Sequence, residues 1–387
     1  MLAPIHTRFE PRYFQQFHCL GSECEDTCCE GWGIVIDRDT YDKYRNDPGL
    51  SALVAIHPAA TGSRDFARIR LDGIRCPALA DGICSVQQTF GESCISDMCS
   101  SFPRVLNVVD GVLERSLHLS CPEAARLVLR DPEAMTLDHR DAGDDAHRAG
   151  SLSVVSTAAC NGREQFRKRA IEILKDRSRP LWKRLTMLGS AIEELSGRAC
   201  VQTRNGGDGM LRLEIVLELI VSRISAEYAS PRFLACYSGF MRGIGWNADS
   251  TMDEIAGRHG HALATWWAPF ADRNPHVLEN YLVNYAFRTL FPFGRKQPDQ
   301  TITIDTDAAE IRNAYTVLVV HFAMIRTLLI GLAGWYGESF GMDHVIELVQ
   351  SYTKAFQHSG SFPAVILQAM ADKGITNAGD LTFLIQD

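Results

Sequence analysis

Residues 17–32 read FHCLGSECEDTCCEGW, Phe17 to Trp32, and place four cysteines, Cys19, Cys24, Cys28 and Cys29, within eleven residues. Five more, Cys76, Cys84, Cys94, Cys99 and Cys121, follow before Pro122, and only Cys160, Cys200 and Cys236 are scattered singly behind them. Nine of the twelve cysteines thus sit in the first third of the chain, a local clustering that calls for a chemical reason. Disulfide frameworks belong to small secreted domains. This chain has 387 residues, and MLAPIHTRFEPRYF at its start carries an early charge and no apolar run of the secretory type. Adjacent Cys28 and Cys29 are also badly placed to bridge each other, because disulfide geometry is demanding. Catalytic thiol chemistry needs one or two cysteines. Ligation of a metal ion or an iron–sulfur cluster needs several thiolates converging on one point, and the count favours it.

The spacing runs C-x4-C-x3-C-C, then C-x7-C-x9-C-x4-C, with Cys121 after 21 further residues. A zinc ribbon shows two C-x2-C pairs, and the sequence has none. Neither ferredoxin spacing is present. The donors therefore point to thiolate ligation and leave the ion open between iron and zinc. Glycines at Gly21, Gly31, Gly33, Gly73, Gly82 and Gly91 let the chain turn back on one centre.

These blocks resemble the flagellin lysine-N-methylase family, part of a wider group with a cysteine-rich zinc- or iron-chelating domain. The resemblance is carried by Phe17-His18-Cys19, Cys24-Glu25-Asp26-Thr27-Cys28-Cys29 and Gly31-Trp32. It continues through Cys76-Pro77-Ala78-Leu79, Gly82-Ile83-Cys84, Gly91-Glu92, Cys99, Phe102-Pro103-Arg104 and Leu117–Pro122, and returns at Glu279–Pro292, ENYLVNYAFRTLFP. Cys94 matches no family position. The resemblance implies S-adenosylmethionine-dependent N-methylation of lysine side chains in flagellin, with a [4Fe-4S] cluster held by cysteines. The ligands expected are Cys19, Cys24, Cys28, Cys29, Cys76, Cys84, Cys99 and Cys121. Radical enzymes that bind S-adenosylmethionine on such a cluster use C-x3-C-x2-C, whereas here Cys24-x3-Cys28 is followed at once by Cys29.

Along the chain, Gly33–Asp37 reads as a short strand, followed by a helix capped by Asp39 or Thr40 and stopped at Asp47-Pro48-Gly49. Phe66–Leu71 alternates as a half-exposed strand, and Asp110-Gly111 between two apolar runs over 105–119 signals a hairpin. Residues 121–133 read as a short helix opened by Pro122. The polar stretch 136–156 reads as irregular, with a domain boundary near residue 150 in a mobile loop. Beyond it, apolar residues recur at helical intervals over 163–175, 181–196 and 209–228. The glycine-rich RNGGDG at 204–209 reads as a surface loop, and no dinucleotide fingerprint occurs anywhere, so an ordinary sheet-based methyltransferase domain is not expected. A capping box at Ser250 or Thr251 opens a helix ending in Trp266-Trp267, a pair read as core. Thr301–Ile304 alternates as a strand. Asp305 or Thr306 is then placed to cap a helix over 308–336, nearly long enough to span a bilayer. His321 and Arg326 in its middle favour a helix buried in a bundle, with no membrane insertion. The last fifty residues add one or two helices, broken at Ser361-Phe362-Pro363.

On a helix over 279–292, Asn280 and Asn284 share a face that Arg288 continues, and Tyr281 and Tyr285 share the next. Such polar stripes build either a buried hydrogen-bonding network or a pocket. We assign Asn280, Asn284 and Arg288 to S-adenosylmethionine and Tyr281 and Tyr285 to catalysis. A lysine amine must arrive neutral, against a reference pKa of about 10.4, so a base or desolvation is required; Asp37 and Glu279 are further candidate bases. The fold class expected is mainly α: a cysteine-rich domain with short strands and a metal or iron–sulfur centre over 1–150, then a helical domain over 151–387 holding the pocket.

Composition, 46% hydrophobic and 22% charged, fits a soluble globular protein, expected in the cytoplasm. The formal charge of −8 argues against a nucleic-acid partner and suits one that presents lysines. The second function class is a structural or carrier protein whose cysteines hold zinc or iron without turnover; the long helical part favours the enzyme.

Overall fold

The computed structural model describes residues 7–386 except 31–32, 57–65, 81, 110, 142–151, 156–160, 199–208, 225–229, 297–301 and 305–306. Strand β1 (Thr7–Pro11) opens it, followed by a small layer of short elements. These are β2 (Val35–Ile36), α1 (Arg38–Tyr44), α2 (Pro48–Ser51), β3 (Val54–Ile56), β4 (Ala67–Ile69), β5 (Leu79–Ala80), β6 (Ile83–Cys84), α3 (Ser85–Phe90) and α4 (Asp97–Ser101). Strand β4 lies between β2 and β3, antiparallel to both, so both stretches expected to be extended are paired. Asp37, and not Asp39 or Thr40, caps α1. Its backbone is still extended while its carboxylate accepts from the Thr40 N–H at 2.8 Å, and Asp39 and Thr40 already lie inside the first turn.

The hairpin of β7 (Arg104–Val109) and β8 (Val112–Leu117) forms in the register that a two-residue loop requires, Val109 opposite Val112, with Gly111 at a φ of 81°. Helix α5 (Pro122–Arg130) starts on Cys121 as its N-cap with Pro122 in the first turn. The stretch expected to be irregular instead supplies β9 (Leu137–Asp141) and β10 (Leu152–Val155). Strand β9 pairs antiparallel with β1, and β10 pairs parallel with β7, completing a sheet of order β10-β7-β8-β1-β9. Its LDHRD sequence lacks an apolar period; pairing with the edge of β1, where Phe9 meets the His139 ring with centroids 4.6 Å apart, makes it a strand. The loop expected to be mobile falls largely on 142–151, outside the described residues.

The rest is helical: α6 (Asn161–Lys175), α7 (Leu181–Leu195), α8 (Gly209–Ile224), α9 (Pro231–Gly243), α10 (Met252–Ala262), α11 (Ala268–Arg273), α12 (His276–Arg288), α13 (Ala308–Tyr336), α14 (Met342–Tyr352), α15 (Phe362–Asp372) and α16 (Thr382–Ile385), with a two-stranded ribbon of β11 (Gly294–Lys296) and β12 (Ile302–Ile304) before α13. The mainly helical class is therefore as expected. Helix α9, unanticipated in sequence, is capped by Ser230. Thr251 and Glu254 form the capping box of α10. Asp307 caps α13; Asp305 and Thr306 lie outside the described residues, as do Gly31, Trp32 and 204–208 of the glycine-rich loop. Two π-helical turns interrupt the helices, Leu263–Trp267 after α10 and Thr353–Gln357 after α14.

Two apolar cores result. The larger takes in Tyr13, Phe14 and Phe17, one face of α5, and the helices through Ile385, so packing runs without a break across residue 150. A smaller one gathers Ile34, Ile36, Tyr44, Ala67, Cys76 and Val86 from the short elements. Helix α13 is the axis of the larger core. Its most apolar stretch meets the length and composition needed to cross a bilayer, yet 94% of it is buried inside the protein. It crosses α9 along glycines: a Cβ on Gly243 would stand 1.8 Å from the Gly331 carbonyl oxygen, and one on Gly331 would meet the Phe240 ring at 2.3 Å. Backbone cannot yield there as a side chain can, so Gly243→Ala is expected to cost at least the 1–3 kcal/mol typical of overpacking. Gly257→Ala, with open space at its Cβ, should leave urea-unfolding stability unchanged or raised.

Candidate functional site

The ten cysteines among the described residues are all free thiols. Cys236 lies apart in α9, and the other nine fall into two neighbourhoods. Cys29, Cys76, Cys84, Cys94 and Cys99 all belong to the smaller core. There the Cys76 N–H donates to the Cys29 carbonyl at 2.8 Å, Cys84 closes the β5–β6 hairpin opposite Leu79, and the Cys99 N–H donates to Ser96 Oγ at 3.2 Å. Cys94, which matched no family position, packs with them. Burial, and then the neighbouring Cys29, Cys84 and Cys76, push the Cys99 thiol up to about 12; burial likewise holds Cys76 at about 11. The second neighbourhood is Cys121 at the N-terminus of α5, with Cys24 and Cys19; burial first, and then those two thiols, raise Cys121 to about 12. Cys28 and Cys29 stand between the two. Cys28 donates to Cys29, which raises the Cys28 thiol and lowers Cys29 to about 7, with Thr27 and the Lys354 ammonium helping the thiolate.

Among the described residues, no three His, Cys, Asp or Glu side chains converge closely enough as they stand to hold a metal ion. The donor chemistry nonetheless fits iron or zinc: soft sulfur ligands, unpaired in disulfides, gathered from distant points of the chain. Each raised thiol is one that a cation would deprotonate on binding.

The loop between Cys24 and Cys28 is fastened to the helical body. Glu25 pairs with Arg126 of α5 at 2.5 Å. Asp26 receives Gln350 Nε2 at 2.7 Å and Lys354 Nζ at 2.9 Å, and Lys354 also donates to the Thr27 carbonyl at 2.7 Å. Beside it, His118 and His358 stack with centroids 4.3 Å apart and both lie 2.8 Å from Ser120 Oγ. Gln350, Thr353 and Lys354 went unremarked in sequence; polar residues inside an apolar helical run were the available signal.

Helix α12 crosses the same junction. Asn280 and Asn284 spend their amides on backbone: Asn280 Nδ2 donates to the Val128 and Asp131 carbonyls at 2.8 Å each, and Asn284 Nδ2 to Leu117 at 3.2 Å. Asn284 Oδ1 accepts from Tyr13 OH at 2.5 Å, so this stripe joins α12 to the helical turn after β1, to β8 and to α5. Asn280 Oδ1 is buried without a partner. Tyr281, Tyr285 and Arg288 come together on another side. Arg288 lies over the Tyr285 ring at 5.6 Å and donates to Gln357 Oε1 at 2.9 Å, while Gln357 donates to Tyr281 OH at 2.7 Å. Arg288 is 92% buried (8% exposed), its Nε has no hydrogen-bond partner, and no carboxylate pairs with it among the described residues. Burial weakens its hold on the proton and raises both phenols, so Tyr281 and Tyr285 stay protonated and serve as hydrogen-bonding groups at neutral pH. His321 bonds Tyr352 OH at 2.7 Å and burial lowers it to about 3, leaving a neutral imidazole.

The other two candidate bases are otherwise engaged. Asp37 caps α1, and Glu279, 1% exposed, forms ion pairs with Arg184 at 2.6 Å and Arg177 at 2.9 Å. Both carboxylates are thus engaged within the fold; the Glu279 pair could not be read in advance, since Arg184 lies 95 residues away.

Together these features define a mainly helical protein in which an early cysteine loop is docked on a buried, Arg- and Tyr-bearing helix. The profile of the FliB lysine N-methylase C-terminal domain matches residues 167–384. The chain belongs to that family. Over 138 residues it is 36% identical to the lysine-N-methylases of Salmonella choleraesuis (strain SC-B67) and Salmonella typhimurium (strain LT2), a match covering 34% of this chain and 34% of each relative. The aligned part thus spans about a third of these curated relatives. It is equally similar to the flagellar biosynthetic protein FliU of Salmonella muenchen, there over 82% of the relative. No solved structure matches the chain.

Proposed function

We propose that this protein transfers methyl groups from S-adenosylmethionine to lysine side chains of flagellin, in the cytoplasm, with a thiolate-bound [4Fe-4S] cluster at the cysteine loop. The observation that carries the reading is Arg288: a buried guanidinium with no carboxylate partner among the described residues, inside the region that matches the lysine N-methylase domain. An uncompensated buried charge is costly, and a small anionic group relieves it. The carboxylate of the methyl donor is such a group, and a guanidinium takes it in a bidentate fork. A lysine amine entering beside Arg288 and the Tyr281 and Tyr285 rings loses its proton more readily, because burial and a like charge both disfavour the ammonium. No carboxylate base is then required, in keeping with the engagement of Asp37 and Glu279. Asn280 and Asn284 act in this reading through the placement of α12.

Cys19, Cys24, Cys28, Cys29, Cys76, Cys84, Cys99 and Cys121 would hold the metal. A bound cluster would supply Lewis-acidic iron beside the donor site; zinc would supply a structural anchor alone. Free thiols throughout the described chain suit a reducing compartment. The test is anaerobic purification with metal analysis, followed by assay with flagellin and isotopically labelled S-adenosylmethionine. Expected are a brown protein absorbing near 400 nm, labelled lysines, and loss of both in Cys28→Ala. A colourless protein with stoichiometric zinc and no labelled flagellin would overturn the enzyme reading in favour of a metal-holding structural protein.

A further inference from the structure

We infer that the π-helical turn Thr353–Gln357, through Lys354, is the positioning element that sets the Cys24–Cys28 loop and joins it to the Arg288–Tyr281 pair. A π turn inserts one residue into a helix and leaves carbonyls without their usual i+4 donors, and such turns recur at functional sites. Here the Ala355 carbonyl takes a buried bond from Arg223 Nε at 2.7 Å instead. Around this turn four polar side chains reach outward to other parts of the chain. Gln350 and Lys354 hold Asp26, 324 and 328 residues away in sequence. Gln357 bridges Tyr281 and Arg288, and His358 meets Ser120 beside the N-cap of α5.

Lys354 is 3% exposed, and its paired carboxylate on Asp26 is 11% exposed. A buried ion pair is a poor source of net stability, because desolvation of both charges offsets their attraction, and apolar residues of similar volume usually do as well. What the pair does provide is direction. The ammonium reaches a carboxylate and a carbonyl in the three residues between Cys24 and Cys28, which fixes where those two thiols point. Because Gln357 sits in the same turn, a shift of the loop is transmitted to the guanidinium on α12. Lys354 therefore acts through the cysteines and Arg288, and we assign it positioning, not chemistry.

The inference deepens the proposed thiolate centre, but its test reads the loop itself and does not need metal or turnover. The full-length protein, stripped of metal by chelator under reducing conditions, is alkylated with iodoacetamide in the folded state, and the labelling rate of each cysteine is followed by mass spectrometry. Lys354→Met and, independently, Asp26→Asn are expected to raise the rates at Cys24 and Cys28 tenfold or more; Cys29 is left out of the readout because Lys354 also favours its thiolate. Cys236, buried in α9, should be unchanged, and Lys354→Arg should restore slow labelling. Lys373→Met, which breaks a surface pair with Glu218, serves as the control and should change nothing. Unchanged rates at Cys24 and Cys28 in either variant, or an equal rise at Cys236 that marks general loosening, would overturn the assignment. Should the wild-type protein purify without metal, the proposed centre fails while the labelling still decides the role of Lys354.

Discussion

Glu279→Ala is expected to lower unfolding stability by about 3–5 kcal/mol, the range found when one partner of a buried ion pair is removed. Glu279 is 1% exposed and Arg184 is 4% exposed, so their 2.6 Å contact is screened by almost no solvent. Removing the carboxylate leaves the Arg184 guanidinium buried on two backbone carbonyls, those of Leu174 and Arg179, with its charge uncompensated. Arg177 contributes less to the effect because it is 40% exposed. The double variant Glu279→Met with Arg184→Met should recover much of the loss, since two apolar side chains of similar volume avoid the desolvation of both charges. Urea denaturation of the three proteins decides the matter. A single-variant loss under about 1 kcal/mol, in the range of exposed pairs, would show that the pair lies open to water.

The second large effect is on ligand binding. Arg288→Met is expected to weaken binding of S-adenosylmethionine by roughly 10- to 100-fold, the loss of a hydrogen-bonded charge contact worth about 1.5–3 kcal/mol. The unliganded protein should be as stable as before or more so, because a buried guanidinium without a counter-charge is replaced by an apolar side chain. This opposition separates a binding residue from a structural one. Isothermal titration with the methyl donor, set beside thermal unfolding without it, reads both. Lower stability with unaltered affinity would return Arg288 to the scaffold.

The parts of the fold legible in the sequence were those fixed by local chemistry. Asp110-Gly111 foretold the β7–β8 hairpin, Thr251 and Glu254 the start of α10, and the apolar run of 308–336 the buried axis helix. Strands β9 and β10 were hidden because their pairing partners lie far away, and neither LDHRD nor LSVV carries a turn signal that names them. Helix α9 went unread; its Gly243 packs closely against Gly331 of α13, a contact that only the folded chain shows. The site was legible to a similar depth. The eight cysteines were named through the family resemblance, and Arg288 and the two tyrosines from residue type and helical spacing. That Asn280 and Asn284 bond backbone, that Glu279 is paired, and that Lys354 reaches Asp26 depend on contacts between distant segments, which periodicity does not encode.

The larger core draws on Tyr13 and Phe14 at one end of the chain and on Leu384 and Ile385 at the other. During synthesis it cannot close until α14, α15 and α16 have left the ribosome. Over that interval the Cys24–Cys28 loop waits undocked, without Gln350 and Lys354 to hold Asp26. Were that loop to hold the proposed centre, its stable loading would follow the synthesis of α14.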